Sequence, residues 1–478
     1  MFNRQTDRQT DRQTDRQTLI RILSSVLCVV LMCGVLLVGS LPVRAAGVDI
    51  TDKFTDANFR AAVYEVIGKI APEPIYDTDV EGVDRLAVHD KDIRSIAGLE
   101  YFVGLKKLIC YSNQLVELDI SKNVALKELN CSGNKLTELD LSKNIALQEL
   151  SCSANELTVL DVSENVALMH LECDNNELTE LDVSTNVALN TLDCYSNELT
   201  ELDVSKNVML GRLWCSGNKL TELDLSKNIQ LLTLYCSHNE LTELDLSTNV
   251  GFLTDLNCSR NKLTMLNTGY SSMLTYLECG DNKLTVLDVS KHVWLERLSC
   301  SDNELMMLNV SKNVVLEQLG CSQNQLMELD VSKNVKLTNL YLNNNQLTEL
   351  DISQNVALKW LWCYNNELTT LDVSTNTALD WVVCRENRFP NTAAIVVLDR
   401  ERTTLEFEPQ KSGLRFGNPS GSGKIDSSDA RMILQSEVGL IAFTSAQQEA
   451  ANVNRDDKVD SSDARLILQY EVNLITKF

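Results

Sequence analysis

A period of twenty-one residues constrains the fold of this chain more than any other feature. From Leu105 to Phe389 the sequence repeats itself, as in LKELNCSGNKLTELDLSKNIA from Leu126, which LQELSCSANELTVLDVSENVA follows. Thirteen cysteines mark the repeats, at positions 110, 131, 152, 173, 194, 215, 236, 258, 279, 300, 321, 363 and 384. One residue is added before Cys258 and Leu342 replaces one cysteine, which gives fourteen repeats. Such a period predicts a solenoid, because stacked turns bury each other's apolar sides.

The pattern within a repeat predicts where each part of a turn lies. Each LxC segment is expected to form one short parallel strand, with its leucines inward and the intervening residues outward on a concave face. An asparagine follows each cysteine or its substitute by three residues, from Asn113 to Asn387. Its amide can satisfy backbone groups where the chain leaves the strand, so a ladder of asparagines is predicted. The LTELD segment and the SxN that follows it are expected to form the return on the convex side.

The cysteines are interpreted as core residues. They occupy the place that leucine takes at position 342. Side chains on stacked strands run parallel at about 4.8 Å, without the crossed geometry of a disulfide. Metal binding is the weaker alternative, because thiolate ligands must converge on a point and these lie in a line.

The net charge of the chain argues against two classes of binding partner. The chain has 67 acidic and 43 basic residues, a formal net charge of −24. That charge repels nucleic acid and anionic membrane surfaces, so neither is expected as a partner.

Segments without the period flank the repeats. Residues 1–45 combine an RQTD tract, basic residues and an apolar stretch, which predicts a signal peptide cleaved after Ala45 and a secreted protein without a membrane contact after cleavage. A retained membrane anchor is the alternative, because the apolar stretch is about long enough to span a bilayer. Residues 46–104 are expected to form a helical N-terminal cap, with Phe59, Val63, Val66 and Ile67 on one apolar face. Residues 391–411 are expected to form a C-terminal cap or linker after repeats at 105–390.

The repeats resemble the leucine-rich-repeat family, and the cysteines with LDVSxN are especially similar to the cysteine-containing repeats of the internalin J type. The run DANFR in the predicted cap is shared with internalin-like proteins. The resemblance implies an α/β solenoid with a parallel concave sheet. Family members bind unrelated ligands, so function has to be argued from the surface.

Aromatic side chains are concentrated at positions predicted to face outward from the strands. Four of the five tryptophans are among them. Flat rings with one polar edge suit protein interfaces and can also stack on sugars. The alternative is that the rings only stack on each other along the sheet. This set, the aromatic stripe, is the candidate ligand-binding surface: Tyr195, Trp214, Tyr235, Tyr276, Tyr341, Trp360, Trp362, Tyr364 and Trp381.

Carboxylates share the same predicted face in the earlier turns. They are Glu128, Glu149, Glu172, Asp174 and Asp193. Paired carboxylates serve glycosidases, but an open sheet is not expected to enclose them enough to separate their pKa values. His170 and His238 have no evident nucleophile or orienting partner and are expected to be solvated. The chain is therefore not expected to be an enzyme.

A second repeat closes the chain. KIDSSDARMILQSEVGLI from Lys424 recurs as KVDSSDARLILQYEVNLI from Lys458. Oxygen-bearing residues alternate before each predicted helix, as in a loop that binds Ca²⁺. The predicted ligands are Asn452, Asn454, Asp456, Lys458, Asp460 and Asp463 in one copy, and Asn418, Ser420, Ser422, Lys424, Asp426 and Asp429 in the other. The first copy has only two carboxylates, so the second site is expected to dominate.

These two copies resemble a type I dockerin, which implies a small all-α, calcium-binding domain at 412–478 that binds a cohesin domain of a scaffold protein. By that resemblance the contacts are Ser427, Ser428, Arg431, Ser461, Ser462 and Arg465. An acidic helical pair without an ion is the alternative. The sequence therefore predicts a non-catalytic protein that is extracellular or held at a cell surface through a cellulosome-like scaffold, and whose concave face recognises a protein or polysaccharide. A cell-surface adhesin for a host protein is the alternative function.

Overall fold

A computed structural model describes residues 47–249, 251–390, 395–396, 403–407, 410, 427–437, 447, 451 and 458–471. Within these residues a parallel sheet of sixteen short strands confirms the predicted solenoid. Its strands, in spatial order, are β1 (Arg85–Ala87), β2 (Lys107–Ile109), β3 (Glu128–Asn130), β4 (Glu149–Ser151), β5 (His170–Glu172), β6 (Thr191–Asp193), β7 (Arg212–Trp214), β8 (Thr233–Tyr235), β10 (Asp255–Asn257), β12 (Tyr276–Glu278), β13 (Arg297–Ser299), β14 (Gln318–Gly320), β15 (Asn339–Tyr341), β16 (Trp360–Trp362), β18 (Trp381–Val383) and β20 (Thr404–Glu406).

The sheet extends by one strand beyond the predicted repeats at each end. β1 lies within the segment predicted as N-terminal cap, and β20 lies within the segment predicted as C-terminal cap or linker. Two small parallel pairs form on the return segments, β9 (Glu243–Asp245) with β11 (Met265–Asn267) and β17 (Leu371–Asp372) with β19 (Ile395–Val396). Neighbouring strands of the large sheet pair at equivalent positions, so residues one period apart stand side by side.

The predicted asparagine ladder is present. The Nδ2 of Asn134 donates to the carbonyls of Cys131 at 2.9 Å and Cys110 in the preceding turn at 3.1 Å. Its Oδ1 accepts from the amide of Leu115 at 3.0 Å. Each ladder asparagine thus satisfies backbone hydrogen-bonding groups of its own turn and of the preceding turn.

A second asparagine ladder supports the return segments. The buried Nδ2 of Asn144 donates to the carbonyls of Ile120 at 3.2 Å and Asn123 at 3.0 Å. In the same segment Asp140 accepts from the amide of Ser142 at 2.9 Å, which confirms the predicted role of Asp and Ser in this turn. Ser271 and His292 occupy the second ladder where the other turns carry asparagine.

The cysteines form part of the core, as predicted. All thirteen in the repeats are buried and none is in a disulfide. Burial raises the pKa of the Cys131 thiol to about 12. Such thiols behave as small apolar side chains.

A helical cap covers the first turn, as predicted. Helix α1 (Ala57–Ile67) begins at Asp56, whose carboxylate accepts from the amides of Asn58 and Phe59. Phe59 and Val63 are buried as predicted, whereas the prediction for Val66 was wrong, because its side chain is 40% exposed. The buried face instead includes Ala62 and Tyr64. Tyr64 turns inward because its hydroxyl donates to the carbonyl of Glu73 at 2.7 Å. A short helix α2 (Asp77–Val80) precedes β1.

Two of the helical segments that the structure describes begin at equivalent places in the C-terminal duplicate, α3 (Ser427–Glu437) and α4 (Ser461–Glu471). Ala430 and Ile433 of α3 share one apolar cluster with Ala464 and Ile467 of α4.

Candidate binding site

The concave face of the sheet carries the predicted aromatic stripe. The first and third residues of each strand point outward, and in-register pairing aligns them in two rows. The structure places Trp214, Tyr235, Tyr276, Tyr341, Trp360, Trp362 and Trp381 within these strands, while Tyr195 and Tyr364 follow one residue after a cysteine. Because stacked strands are about 4.8 Å apart, equivalent side chains in adjacent turns can contact the same ligand.

The rings fall into two groups rather than one continuous stripe. Tyr195, Trp214 and Tyr235 occupy three consecutive turns in the middle of the sheet. Tyr341 begins the second group, on β15, five strands beyond β8 in the sheet. That separation is about 25 Å. Tyr276 lies between the groups. Burial raises the pKa of Tyr276, and so does the hydrogen bond that its hydroxyl donates to Glu278.

The second group, here called the C-terminal aromatic cluster, comprises Tyr341, Trp360, Trp362, Tyr364 and Trp381. Trp360, Trp362 and Trp381 remain 46%, 38% and 42% exposed. Trp362 meets Tyr341 edge to face with ring centroids 4.9 Å apart. Stacking of the rings on each other, the alternative to ligand binding in the sequence analysis, therefore explains only part of their packing. Much of each indole remains in solvent.

Neighbouring groups fix these rings in place. The indole Nε1 of Trp381 donates to Glu406 on β20 at 3.1 Å. The guanidinium of Arg385 lies 4.6 Å from the ring centroid of Tyr364. Sequence reasoning missed Glu406, because β20 lies beyond the last repeat and carries no periodic signal.

The first group lines a cavity of about 330 Å³, here called the central pocket. Its walls are Asp193, Tyr195, Trp214, Ser216, Tyr235, Ser237 and Asn257. The Oδ1 of Asp193 accepts from the amide of Tyr195 at 3.1 Å. The hydroxyls of Ser216 and Ser237 are 3.0 Å apart and form part of the floor. These small side chains leave space between the rings, which the sequence could not show.

The carboxylates of the earlier turns have different environments. Glu128 pairs with Lys107, and Glu172 accepts from the hydroxyl of Ser151 at 2.8 Å. Asp174 accepts from the hydroxyl of Ser153, and Glu149 is exposed. Burial raises the pKa of Asp193 to about 6, with smaller contributions from the negative charges of Asp174 and Glu172. The sequence predicted that an open sheet would not enclose these carboxylates enough to separate their pKa values. Asp193 departs from that prediction, because its burial in the wall of the central pocket desolvates it.

The two histidines considered from the sequence take different positions. His170 is the first residue of β5 and half-buried, with Glu149 and Thr191 as its register partners. His238 is exposed, and its Nε2 lies 3.0 Å from a guanidinium nitrogen of Arg260. The absence of catalysis stays a prediction.

A larger groove of about 1370 Å³ follows the return segments and is lined by repeated Glu and Asp side chains. The aspartates accept backbone hydrogen bonds within the turns of the return segments. Asp182 and Asp203 each accept from the amide of the serine two residues later at 2.8 Å, which lowers their pKa. These carboxylates therefore have a structural role in the solenoid.

The predicted calcium ligands lie largely outside the described residues. This holds for Asn452, Asn454, Asp456, Asn418, Ser420, Ser422, Lys424 and Asp426, and nothing is described of the side chain of Asp429. Lys458 and Asp460 precede α4, where the carboxylate of Asp460 accepts from the amide of Ser462 at 2.8 Å. The buried Asp463 accepts from the amide of Asp460 at 3.1 Å, so the two aspartates cap α4.

The predicted cohesin contacts lie on α3 and α4. Ser427, Arg431, Ser461, Ser462 and Arg465 are exposed, and the side chain of Ser428 lies outside the described residues. Leu434 and Leu468 occupy equivalent positions and are also exposed. The positions i, i+4 and i+7 place Ser427, Arg431 and Leu434 on one helix face. The second copy repeats that face with Ser461, Arg465 and Leu468.

The described part of the chain shows neither a metal-binding cluster nor a membrane-spanning helix. No group of three or more His, Cys, Asp or Glu side chains there is arranged to hold a metal ion. None of the helices described has the length and apolarity required to cross a bilayer. The predicted signal peptide lies outside that part.

Comparison with solved structures identifies similar solenoids. The functional domain of InlJ from Listeria monocytogenes, which includes a cysteine ladder, is 39% identical and superposes with a TM-score of 0.63, over 70% of this chain and 79% of that one. A leucine-rich-repeat protein of Leptospira interrogans is 24% identical, with a TM-score of 0.55, over 69% and 85% of the two chains. The internalin InlF of Listeria monocytogenes is 19% identical, with a TM-score of 0.53, over 77% and 100%. Neither a protein-family model nor a curated protein matches the sequence.

Proposed function

The chain belongs to the internalin J family of leucine-rich-repeat proteins with a cysteine ladder, and we propose that it is an exported protein that binds a protein partner on its concave face. The C-terminal aromatic cluster carries this proposal. Trp381 is held by Glu406 and Trp362 packs against Tyr341, yet the three tryptophans of the cluster remain 38% to 46% exposed. Rigid, half-exposed indoles are the side chains that most often dominate binding energy at protein interfaces.

The geometry of the cluster suits a protein better than a polysaccharide, the other ligand considered. Trp360 and Trp381 are register partners on β16 and β18, so their rings form a ridge about two strands wide. Tyr364 carries the guanidinium of Arg385 on its face, which adds a charged group beside the indoles. A mixture of aromatic and charged groups is typical of interfaces between proteins.

The test compares binding of the full chain and its variants to arrays of extracellular proteins and of plant polysaccharides. Trp360→Ala combined with Trp381→Ala is expected to weaken binding to the recognised protein at least about a hundredfold, because two hot-spot residues are lost. Trp294→Ala is the matched control. Trp294 is a tryptophan that is 60% exposed but lies outside the strands, on a return segment.

Two outcomes would contradict the proposal. Equal losses for the double variant and the Trp294 control would show that the concave face is not the binding surface. If the chain binds only polysaccharide and the double variant loses that binding, the site is correct but the partner is a polysaccharide and not a protein.

We further propose that residues 412–478 are a calcium-binding dockerin that attaches the protein to the cohesin of a scaffold. The duplication supports this proposal, as do α3 and α4 at equivalent positions. Each helix exposes the same stripe of serine, arginine and leucine, which provides two equivalent docking faces. Ca²⁺ would be held by the predicted ligands of the second copy, among which Asp456 would supply a carboxylate.

Calorimetry of the full chain with a panel of cohesins, in Ca²⁺ and in chelator, tests the attachment. Binding is expected only in Ca²⁺ and is expected to be lost in Asp456→Ala. Asp426→Ala, which removes a predicted carboxylate ligand of the first copy, is the comparison and is expected to have the smaller effect. If no cohesin binds with or without Ca²⁺, the dockerin proposal fails and a free adhesin becomes the better interpretation.

A further inference from the structure

The central pocket places one carboxylate beside three aromatic side chains. Asp193, Trp214 and Tyr235 occupy the same register position on β6, β7 and β8, so they stand side by side. Tyr195 follows Asp193 by two residues and completes the wall. A cavity of about 330 Å³ is at the lower end of the range for ligand pockets and has room for one long side chain.

Among the described residues, Asp193 forms no ion pair with a basic side chain. Burial is the largest cause of its raised pKa, and the charges that contribute to the shift, those of Asp174 and Glu172, are both negative. Its described hydrogen bond comes from the amide of Tyr195 to Oδ1. A partly desolvated carboxylate in this environment gains most from a bound cation that donates hydrogen bonds.

The rings favour the same kind of ligand. The face of an indole or phenol attracts a cation within about 6 Å of its centroid, and the attraction grows when water is excluded. A guanidinium is planar, so it can stack on a ring while donating two hydrogen bonds to a carboxylate. The net charge of −24 also attracts cationic groups to this surface.

We propose that the central pocket is a specificity site that binds the guanidinium of an arginine side chain on the partner protein. This proposal rests on the proposed function, because it assumes a protein on the concave face. It deepens that function by naming the chemistry that the partner has to present there. The C-terminal aromatic cluster would supply the apolar anchor, about 25 Å away along the sheet.

The pocket is also expected to respond to pH. Its titratable and charged neighbours are His170, Glu172 and Asp174 in the turn before and Arg212 and Tyr235 in the turns after. Protonation of Asp193 removes the charge that a guanidinium needs, so affinity is expected to fall as the pH decreases through about 6.

The experiment titrates the full chain with N-acetyl-L-arginine amide and follows the indole resonance of Trp214 by NMR. N-acetyl-L-citrulline amide is the neutral probe of nearly equal shape. Arginine amide is expected to bind at least about tenfold more tightly than citrulline amide. Asp193→Asn is expected to reduce the affinity for arginine amide about tenfold and to abolish its pH dependence. Asp174→Asn, the matched loss of one charge outside the cavity wall, is expected to change affinity less than about threefold.

Equal affinities for the two probes, no shift of the Trp214 resonance, or an unchanged affinity in Asp193→Asn would overturn the proposal. Circular dichroism verifies that each variant is folded. The proposed function is tested separately, because the Trp360→Ala and Trp381→Ala double variant leaves the central pocket intact. If partner binding depends on those tryptophans but not on Asp193, the arginine site is refuted while the proposal of a protein-binding face stands.

Discussion

Replacing one asparagine of the first ladder tests how the turns are held together. Asn218 is 7% exposed, and its Nδ2 donates to the carbonyls of Cys194 at 3.0 Å and Cys215 at 3.1 Å. Its Oδ1 accepts from the buried amide of Leu199 at 3.0 Å. In Asn218→Ala that amide loses its acceptor, which costs about 1 to 3 kcal/mol, and each carbonyl bond contributes about 1 kcal/mol more. The variant is therefore expected to lose roughly 3 to 5 kcal/mol of unfolding free energy.

Urea denaturation and amide hydrogen exchange measure this effect. Because long repeat arrays do not unfold in two states, exchange at the Leu199 amide is the more local readout and is expected to accelerate strongly. Asn190→Ala is the matched control, since Asn190 is an exposed asparagine that donates one bond to the carbonyl of Met209 at 3.1 Å. Its loss is expected to stay below about 1 kcal/mol. Equal effects of the two substitutions, or unchanged protection of the Leu199 amide, would refute the account of the ladder.

Three other predictions follow from buried or strained positions. The buried ring of His292 has its Nδ1 2.7 Å from the carbonyl of Ser271, which requires a proton on Nδ1, and its Nε2 2.6 Å from the hydroxyl of Thr268. Burial lowers the pKa of His292, so the unfolded chain binds more protons than the folded one, and stability is expected to decline as the pH falls below the usual 6.5. Urea denaturation midpoints between pH 8 and pH 5 measure this decline, and His292→Asn is expected to reduce it. Ala154 adopts a φ of 51°, so Ala154→Gly is expected to raise the melting temperature, with a gain of up to about 1 kcal/mol, whereas Ala167→Gly in the same turn should lower it. Burial raises the pKa of repeat cysteines such as Cys131 and Cys321 to about 12. Ellman's reagent is therefore expected to leave the repeat thiols of the native protein unmodified and to react with all thirteen after unfolding. Rapid reaction of these thiols in the native protein would contradict their place in the core.

The sequence alone determined the solenoid, because its information is periodic. Leucines, cysteines and asparagines recur at fixed spacing, and stacked turns are the arrangement in which every copy is buried in the same way. The outward rows could be read from the same spacing, since successive residues of a strand face opposite sides. The positions of Trp360, Trp362 and Trp381 on the concave face were therefore predictable.

Features without a residue-type signal required the tertiary structure. The second residue after each cysteine has a positive φ, yet the position holds Ser112, Ala154, His238 and Arg260 as well as glycines. The packing between turns imposes this conformation, because the amide there donates to the next turn, as Ala154 does to Asp174 at 2.9 Å. No glycine pattern revealed it. The exposure of Val66 was missed for a similar reason, because it depends on how the end of α1 meets the first turn.

The site divides in the same way between sequence and structure. Residue identity placed aromatic rings and carboxylates on one face, because side-chain direction follows from strand periodicity. Only the tertiary structure decided that the rings form two groups, that Glu406 fixes Trp381, and that Asp193 is desolvated by burial in the central pocket. These properties depend on contacts between turns and on the water that such contacts exclude, and neither is encoded in the spacing of a single repeat.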